Sequence, residues 1–138
     1  MFAYISLAFL LLFGTVRADQ AEPNVVAAID ARADEFAAVA HSIWQYAELG
    51  YLEQQSSALL QEQLAAADFR IEQGVAGIPT AFIAERGSGR PVVALLAEFD
   101  ALPGLSQQAV AERRPRVADA PGHACGHHLF GTGSLAAA

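Results

Sequence analysis

The sequence holds one cysteine, one tryptophan, one methionine and no lysine in 138 residues. A single cysteine excludes an internal disulfide, so Cys125 is free, intermolecular or chemically employed. Without lysine, all eight basic residues are arginines; they face fifteen acids, for a net charge of −7. An acidic surface repels nucleic acid and anionic membranes, and neither is expected as a partner. No apolar run reaches the roughly 20 residues needed to cross a bilayer. At 54% hydrophobic and 17% charged, the composition suits a globular chain and excludes a disordered one. There are no internal repeats or heptads, and the length allows one domain with a modest core.

The first residues read as an export signal. Ile5 to Phe13 is apolar apart from Ser6, and Val16-Arg17-Ala18 offers small residues on either side of Arg17 for cleavage after Ala18. Residues 1–18 are therefore expected to be a signal peptide, with 19–138 exported to the periplasm or secreted and free of the membrane after cleavage. An uncleaved anchor or a buried helix is the competing reading. Loss of 1–18 removes only Arg17 among charged side chains, so the net charge moves from −7 to −8.

Pro23-Asn24 opens a long helical pattern. Ile29, Ala33, Phe36, Ala40, Ile43 and Ala47 recur at steps of three and four, with Gly50 as the expected C-cap. A second helix is expected from Gln54 or Ser56 to Ala67, with Ala58, Leu59, Leu60 and Leu64 as apolar positions. A short strand follows at 69–71, then a loop through Gly74, Gly77 and Pro79. Thr80 to Glu85 and the apolar run Pro91 to Ala97 are expected to form a hairpin around Gly87-Ser88-Gly89, the second strand buried on both faces. Helices beside a buried sheet predict a layered α/β domain. Residues 106–120 read as an exposed excursion, and a final helix begins near Leu129. Glu53 and Glu85 read as surface acids.

The chemistry lies near the end of the chain, in Gly122-His123-Ala124-Cys125-Gly126-His127-His128. Imidazole and thiolate are preferred ligands of zinc-like ions. In an extended segment the Cys125–His127 spacing puts both side chains on one side, whereas on a helix they would diverge. Gly122 and Gly126 give the backbone freedom for such a loop. The rival reading is a Cys125 nucleophile with a histidine base, for which the sequence offers no evident orienting Asn or Asp. Asp100, expected at the end of a buried strand, stands where α/β folds place active sites. It could bind an ion, orient a histidine, or be a solvated strand-end acid. Glu98 is a weaker candidate.

Four segments resemble a known family: Glu48-Leu49-Gly50-Tyr51, the stretch from Gly74 to Phe82, Leu96-Ala97-Glu98-Phe99-Asp100-Ala101-Leu102-Pro103-Gly104, and Gly122-His123-Ala124-Cys125-Gly126-His127. Together they are similar to the amidohydrolase branch of the aminoacylase and carboxypeptidase metallopeptidases. Within it they resemble the group of aminobenzoyl-glutamate hydrolases, auxin-conjugate hydrolases and dipeptidases. The resemblance implies a three-layer zinc-peptidase-like catalytic domain, of which this chain carries two N-terminal helices, the central strands and the start of a further helix. It also implies two divalent ions, zinc or manganese, a smaller dimerisation and lid domain, and a homodimer. The substrate would be a small N-acyl amino acid or dipeptide, cleaved at its amide bond. By this match Cys125 corresponds to the bridging metal ligand, His127 to a ligand of one ion, and Asp100 to the acid supporting the site. Glu98 stands where sister branches carry a ligand histidine. His123 belongs to the signature without a ligand role, and His128 replaces a common Asp or Asn.

In the family, the general-base glutamate and further ligands, a Glu and two His, lie downstream of this signature, beyond Ala138. The expectation is an N-terminal fragment of the catalytic domain, without the lid domain and inactive alone. A non-enzymatic metal-binding module or gene remnant is the alternative. A third reading has a second polypeptide supply the missing half.

Overall fold

A computed structural model describes residues 23–138; the expected signal peptide, 1–18, lies outside the described residues. The elements are helices α1 (Pro23–Asp30), α2 (Ala33–Tyr46) and α3 (Gln54–Ala66), strand β1 (Arg70–Gln73), a 3-10 turn (Val75–Gly77), strand β2 (Phe82–Glu85) and helix α4 (His127–Ala137). The architecture is a partial α/β domain: helices packed beside a two-stranded antiparallel sheet, with Arg70 opposite Glu85 and Gln73 opposite Phe82.

The expected single long helix is two. At the junction Arg32 leaves the helical region at φ −112°, ψ 13°. Val25, Val26 and Ile29 of α1 are exposed, so the apolar period starting at Ile29 reaches the core only from Val39 onward. Gly50 is not the cap; Ala47 takes the left-handed conformation, φ 46°, and its N–H bonds the Ile43 carbonyl at 3.1 Å. The core is Val39 and Ile43 of α2 against Leu60 of α3, with Phe82, Phe99 and Leu135 closing around them. Ile43 is fully buried, at 0% exposure.

The boundaries of α3 have a local cause. Both Glu48 carboxylate oxygens face the first turn, accepting from the Gln55 and Ser56 N–H groups at 2.9 Å each and from the Ser56 hydroxyl at 2.8 Å. These donors would otherwise lack partners at a helix start. Partial burial pushes the Glu48 carboxyl up, but the bonds to Gln55 and Ser56 outweigh it and hold the group below the usual range.

The expected hairpin of 80–85 with 91–97 does not form. The partner of β2 is β1, and 91–97 forms no regular secondary structure, leaving Val92 and Leu96 each 82% exposed. Apolar character alone does not make a buried strand. A strand needs ladder partners, and among the described residues none lies beside this segment. Its far end is held by side contacts: the Ser134 hydroxyl donates to the Leu96 carbonyl at 2.6 Å, and the Ala101 N–H to the Glu48 carbonyl at 2.7 Å.

Two features bring the last segment back onto residues 98–100. Leu102 and Gly122 exchange both backbone hydrogen bonds, each 3.0 Å, closing the exposed 106–120 excursion at its base. A Cβ on Gly122 would lie 2.0 Å from the Leu105 carbonyl oxygen, so only glycine fits this crossing. Gly131 lets α4 approach closely in the same way: a Cβ there would stand 3.1 Å from the Glu98 carbonyl oxygen.

Candidate functional site

The helix α4 begins at His127, two residues earlier than the sequence pattern suggested, with Gly126 left-handed at φ 80° just before it. His127 is therefore the first residue of a helix whose close packing sets it beside Glu98 and Asp100. Its Nδ1 lies 2.8 Å from Asp100 Oδ1 and its Nε2 lies 3.1 Å from Glu98 Oε2. The His127 side chain is 17% exposed, that of Asp100 31% and that of Glu98 60%. A carboxylate on Nδ1 fixes the ring plane and directs Nε2 outward, as in histidines that carry a metal. Glu98 stands on the side from which an ion would approach.

His123 and His128 form a separate pair. Their ring centroids are 5.0 Å apart, and His123 Nε2–H donates to the Ile43 carbonyl at 3.0 Å. That carbonyl cannot donate, so a neutral His123 carries its proton on Nε2 and leaves Nδ1 bare. The Nδ1 atoms of both rings are buried without a partner. Burial pushes both imidazoles below their ordinary value; the Ile43 bond partly opposes this at His123, and the neighbouring His123 adds to it at His128. His123 thus ties the signature loop to the end of α2, a structural duty its sequence position did not disclose. A pocket of about 200 Å³ opens beside it, lined by Trp44, Leu105, Gln107 and Ala124 among others.

Cys125 is free and exposed. Among the described residues, no three His, Cys, Asp or Glu side chains are arranged to hold a metal ion. The structure thus brings His127, Asp100 and Glu98 together, sets His123 and His128 apart, and leaves Cys125 on the loop surface. Thiol and imidazole are donor types that fit a zinc-like ion, and a carboxylate on His127 Nδ1 suits a ligand histidine.

Sequence reading missed Glu53. It is not a surface acid but only 8% exposed, and the Thr80 hydroxyl donates to its Oε2 at 2.6 Å. Glu85 is at the surface as expected, paired with Arg70. No local sequence signal marks the burial of Glu53, because its partner Thr80 lies 27 residues away.

Helices on a small sheet, with a glycine-flanked His-x-Cys-Gly-His turn set against an acidic segment, define a partial α/β domain. No family model matches the chain. Curated proteins do. Over 112 residues the chain is 44% identical to the B subunit of p-aminobenzoyl-glutamate hydrolase from Escherichia coli, covering 80% of this chain and 23% of that protein. It is 36% identical over 91 residues to thermostable carboxypeptidase 1 of Saccharolobus solfataricus, covering 64% of this chain and 22% of that one. With Xaa-Arg dipeptidase of Mus musculus it shares 33% over 121 residues, 80% of this chain and 24% of the relative. The chain belongs to the aminoacylase and carboxypeptidase family of amidohydrolases and peptidases. It spans about a quarter of the length of these relatives.

Proposed function

We propose that this chain is the part of an exported, metal-dependent amidohydrolase that contributes Cys125 and His127 to a site for two divalent ions, zinc or manganese. The whole protein would act as a homodimer and cleave the amide bond of a small N-acyl amino acid or dipeptide, aminobenzoyl-glutamate being the model. The observation that carries this reading is the 2.8 Å contact between His127 Nδ1 and Asp100, which turns Nε2 outward. Bound ions would lower the pKa of water and polarise the amide carbonyl. Within the chain, Asp100 orients His127, the Ile43 carbonyl anchors the loop through His123, and Gly126, left-handed, starts the helix that carries His127. Glu98, mostly exposed, would release Nε2 to an ion or help to hold it.

The test is cobalt binding by the 138-residue chain, followed by absorbance and by loss of titratable thiol. Cobalt should bind, and both Cys125→Ser and His127→Ala should abolish or sharply weaken binding. Retention of native affinity in both variants would overturn the assignment. The second reading is a metal-binding module in which Cys125 and His127 hold an ion without catalysis. Neither reading expects hydrolysis of aminobenzoyl-glutamate by residues 1–138 alone, because two donors do not complete a two-ion site. Turnover by this chain, abolished by a chelator, would contradict both. Export is checked by sequencing the mature N-terminus, expected at Asp19.

A further inference from the structure

Among the described residues Glu53 is the one charged side chain buried by the fold, at 8% exposure, and it stands at the N-terminal end of α3. Burying a carboxylate is costly unless its charge is used or compensated. The hydrogen bond from Thr80 to Oε2 does not by itself call for an acid, since a glutamine oxygen would accept it as well. The other oxygen has a different neighbour. A methyl group placed on Gly50 would touch Glu53 Oε1 at 3.9 Å and Asp100 Oδ2 at 4.0 Å. Two carboxylates thus face one another across the bare Cα of Gly50, no more than about 8 Å apart. Asp100 turns its remaining oxygen, Oδ1, to His127.

We infer that Glu53 is a positioning residue that acts on His127 through Asp100. Its charge raises the energy of the neighbouring Asp100 carboxylate, which is relieved when Asp100 holds a donor or when a cation loads the histidine behind that donor. The positive end of α3 supports the Glu53 charge, so the acid is buried without an ion-pair partner among the described residues. Thr80 fixes the direction of the carboxyl group, and Gly50 leaves no side chain between the two acids. This rests on the reading of His127 as a metal ligand.

The Glu53 charge bears on cobalt affinity through its own distance to the ion; for a unit charge and a divalent ion roughly 12 Å apart in an effective dielectric of about 40, that interaction is worth about tenfold in an equilibrium constant. The experiment compares cobalt affinity in the full chain and in Glu53→Gln, Glu53→Asp and Thr80→Val, with circular dichroism to confirm the fold of each. Glu53→Gln keeps an acceptor for Thr80 and removes the charge, and should weaken cobalt binding about tenfold. Glu53→Asp should restore most of it. Thr80→Val removes the hydrogen bond and keeps the charge, and should lower stability while holding affinity within about twofold.

Equal affinity in native and Glu53→Gln chains overturns the inference and leaves the metal reading standing. Weakening by Thr80→Val as large as by Glu53→Gln also overturns it, because the role is then packing. Should Glu53→Gln fail to fold, weak binding by Glu53→Asp despite its charge overturns the inference, and near-native binding supports it. No cobalt binding by the native chain removes the metal reading and this inference with it.

Discussion

Replacing Glu48 tests how the first half of the chain is held together. Its carboxylate satisfies the Gln55 and Ser56 N–H groups at 2.9 Å, with the Ser56 hydroxyl at 2.8 Å. Gln55 is exposed, so its N–H regains water when Glu48 is truncated. Ser56 is 0% exposed, so its N–H and hydroxyl are left without partners. A capping side chain is worth about 1 kcal/mol, and an orphaned buried donor about 1–3 kcal/mol. Glu48→Ala should therefore destabilise by about 2–3 kcal/mol, lowering Tm by roughly 10 °C. Glu48→Gln keeps one acceptor oxygen but turns an amide N–H₂ towards donors, and should lose about half as much. The pH dependence has a definite sign. The folded carboxyl titrates below its ordinary 4.5, so its stabilisation is fully present above that value and is lost as pH falls through the folded one. Urea unfolding followed by circular dichroism should show Glu48→Ala with a shallower acid limb than native. The control is Glu62→Gln, an exposed change worth under about 0.5 kcal/mol. A Glu48→Ala chain within about 0.5 kcal/mol of native, with an unaltered acid limb, would refute the reasoning.

Two further outcomes follow from the loop and its histidines. Gly122→Ala meets the Leu105 carbonyl oxygen at 2.0 Å, so it should destabilise by about 3 kcal/mol or more, read by urea unfolding. His123 and His128 are held below their ordinary 6.5 chiefly by burial. Below that pH the unfolded chain takes up protons that the folded chain refuses. Their contribution is thus complete above 6.5 and declines as pH falls towards the folded values. The chain should lose stability as pH falls below about 6.5, and His128→Asn should flatten that decline; an unchanged slope would count against it.

Much of the local structure was legible in the sequence. The second helix was expected to start at Gln54 or Ser56, and it runs Gln54–Ala66. The 80–85 segment holds β2, β1 overlaps the expected 69–71 strand at Arg70 and Ile71 but runs on to Gln73, and the excursion at 106–120 is mostly exposed. These depend on side-chain period, glycine and local hydrogen bonds, all readable from neighbours along the chain. Residue type and position left Asp100 open between ligand, orienting acid and solvated strand end, and the family resemblance implied a supporting role; the structure places it 2.8 Å from His127 Nδ1.

What the sequence by itself determined was the inventory: the helices, the turn glycines, the histidine and cysteine loop, and through its relatives the family. Tertiary structure alone decided the pairings. Whether 91–97 became a strand depended on a partner for its ladder rather than on its own apolarity. Where the long helical pattern broke depended on Arg32 leaving helical geometry, which the period does not register. Whether Glu53 faced water or Thr80 depended on a contact across 27 residues of chain. Hydrogen bonds and burial belong to pairs of segments, and a sequence read one segment at a time names the groups without naming what they meet.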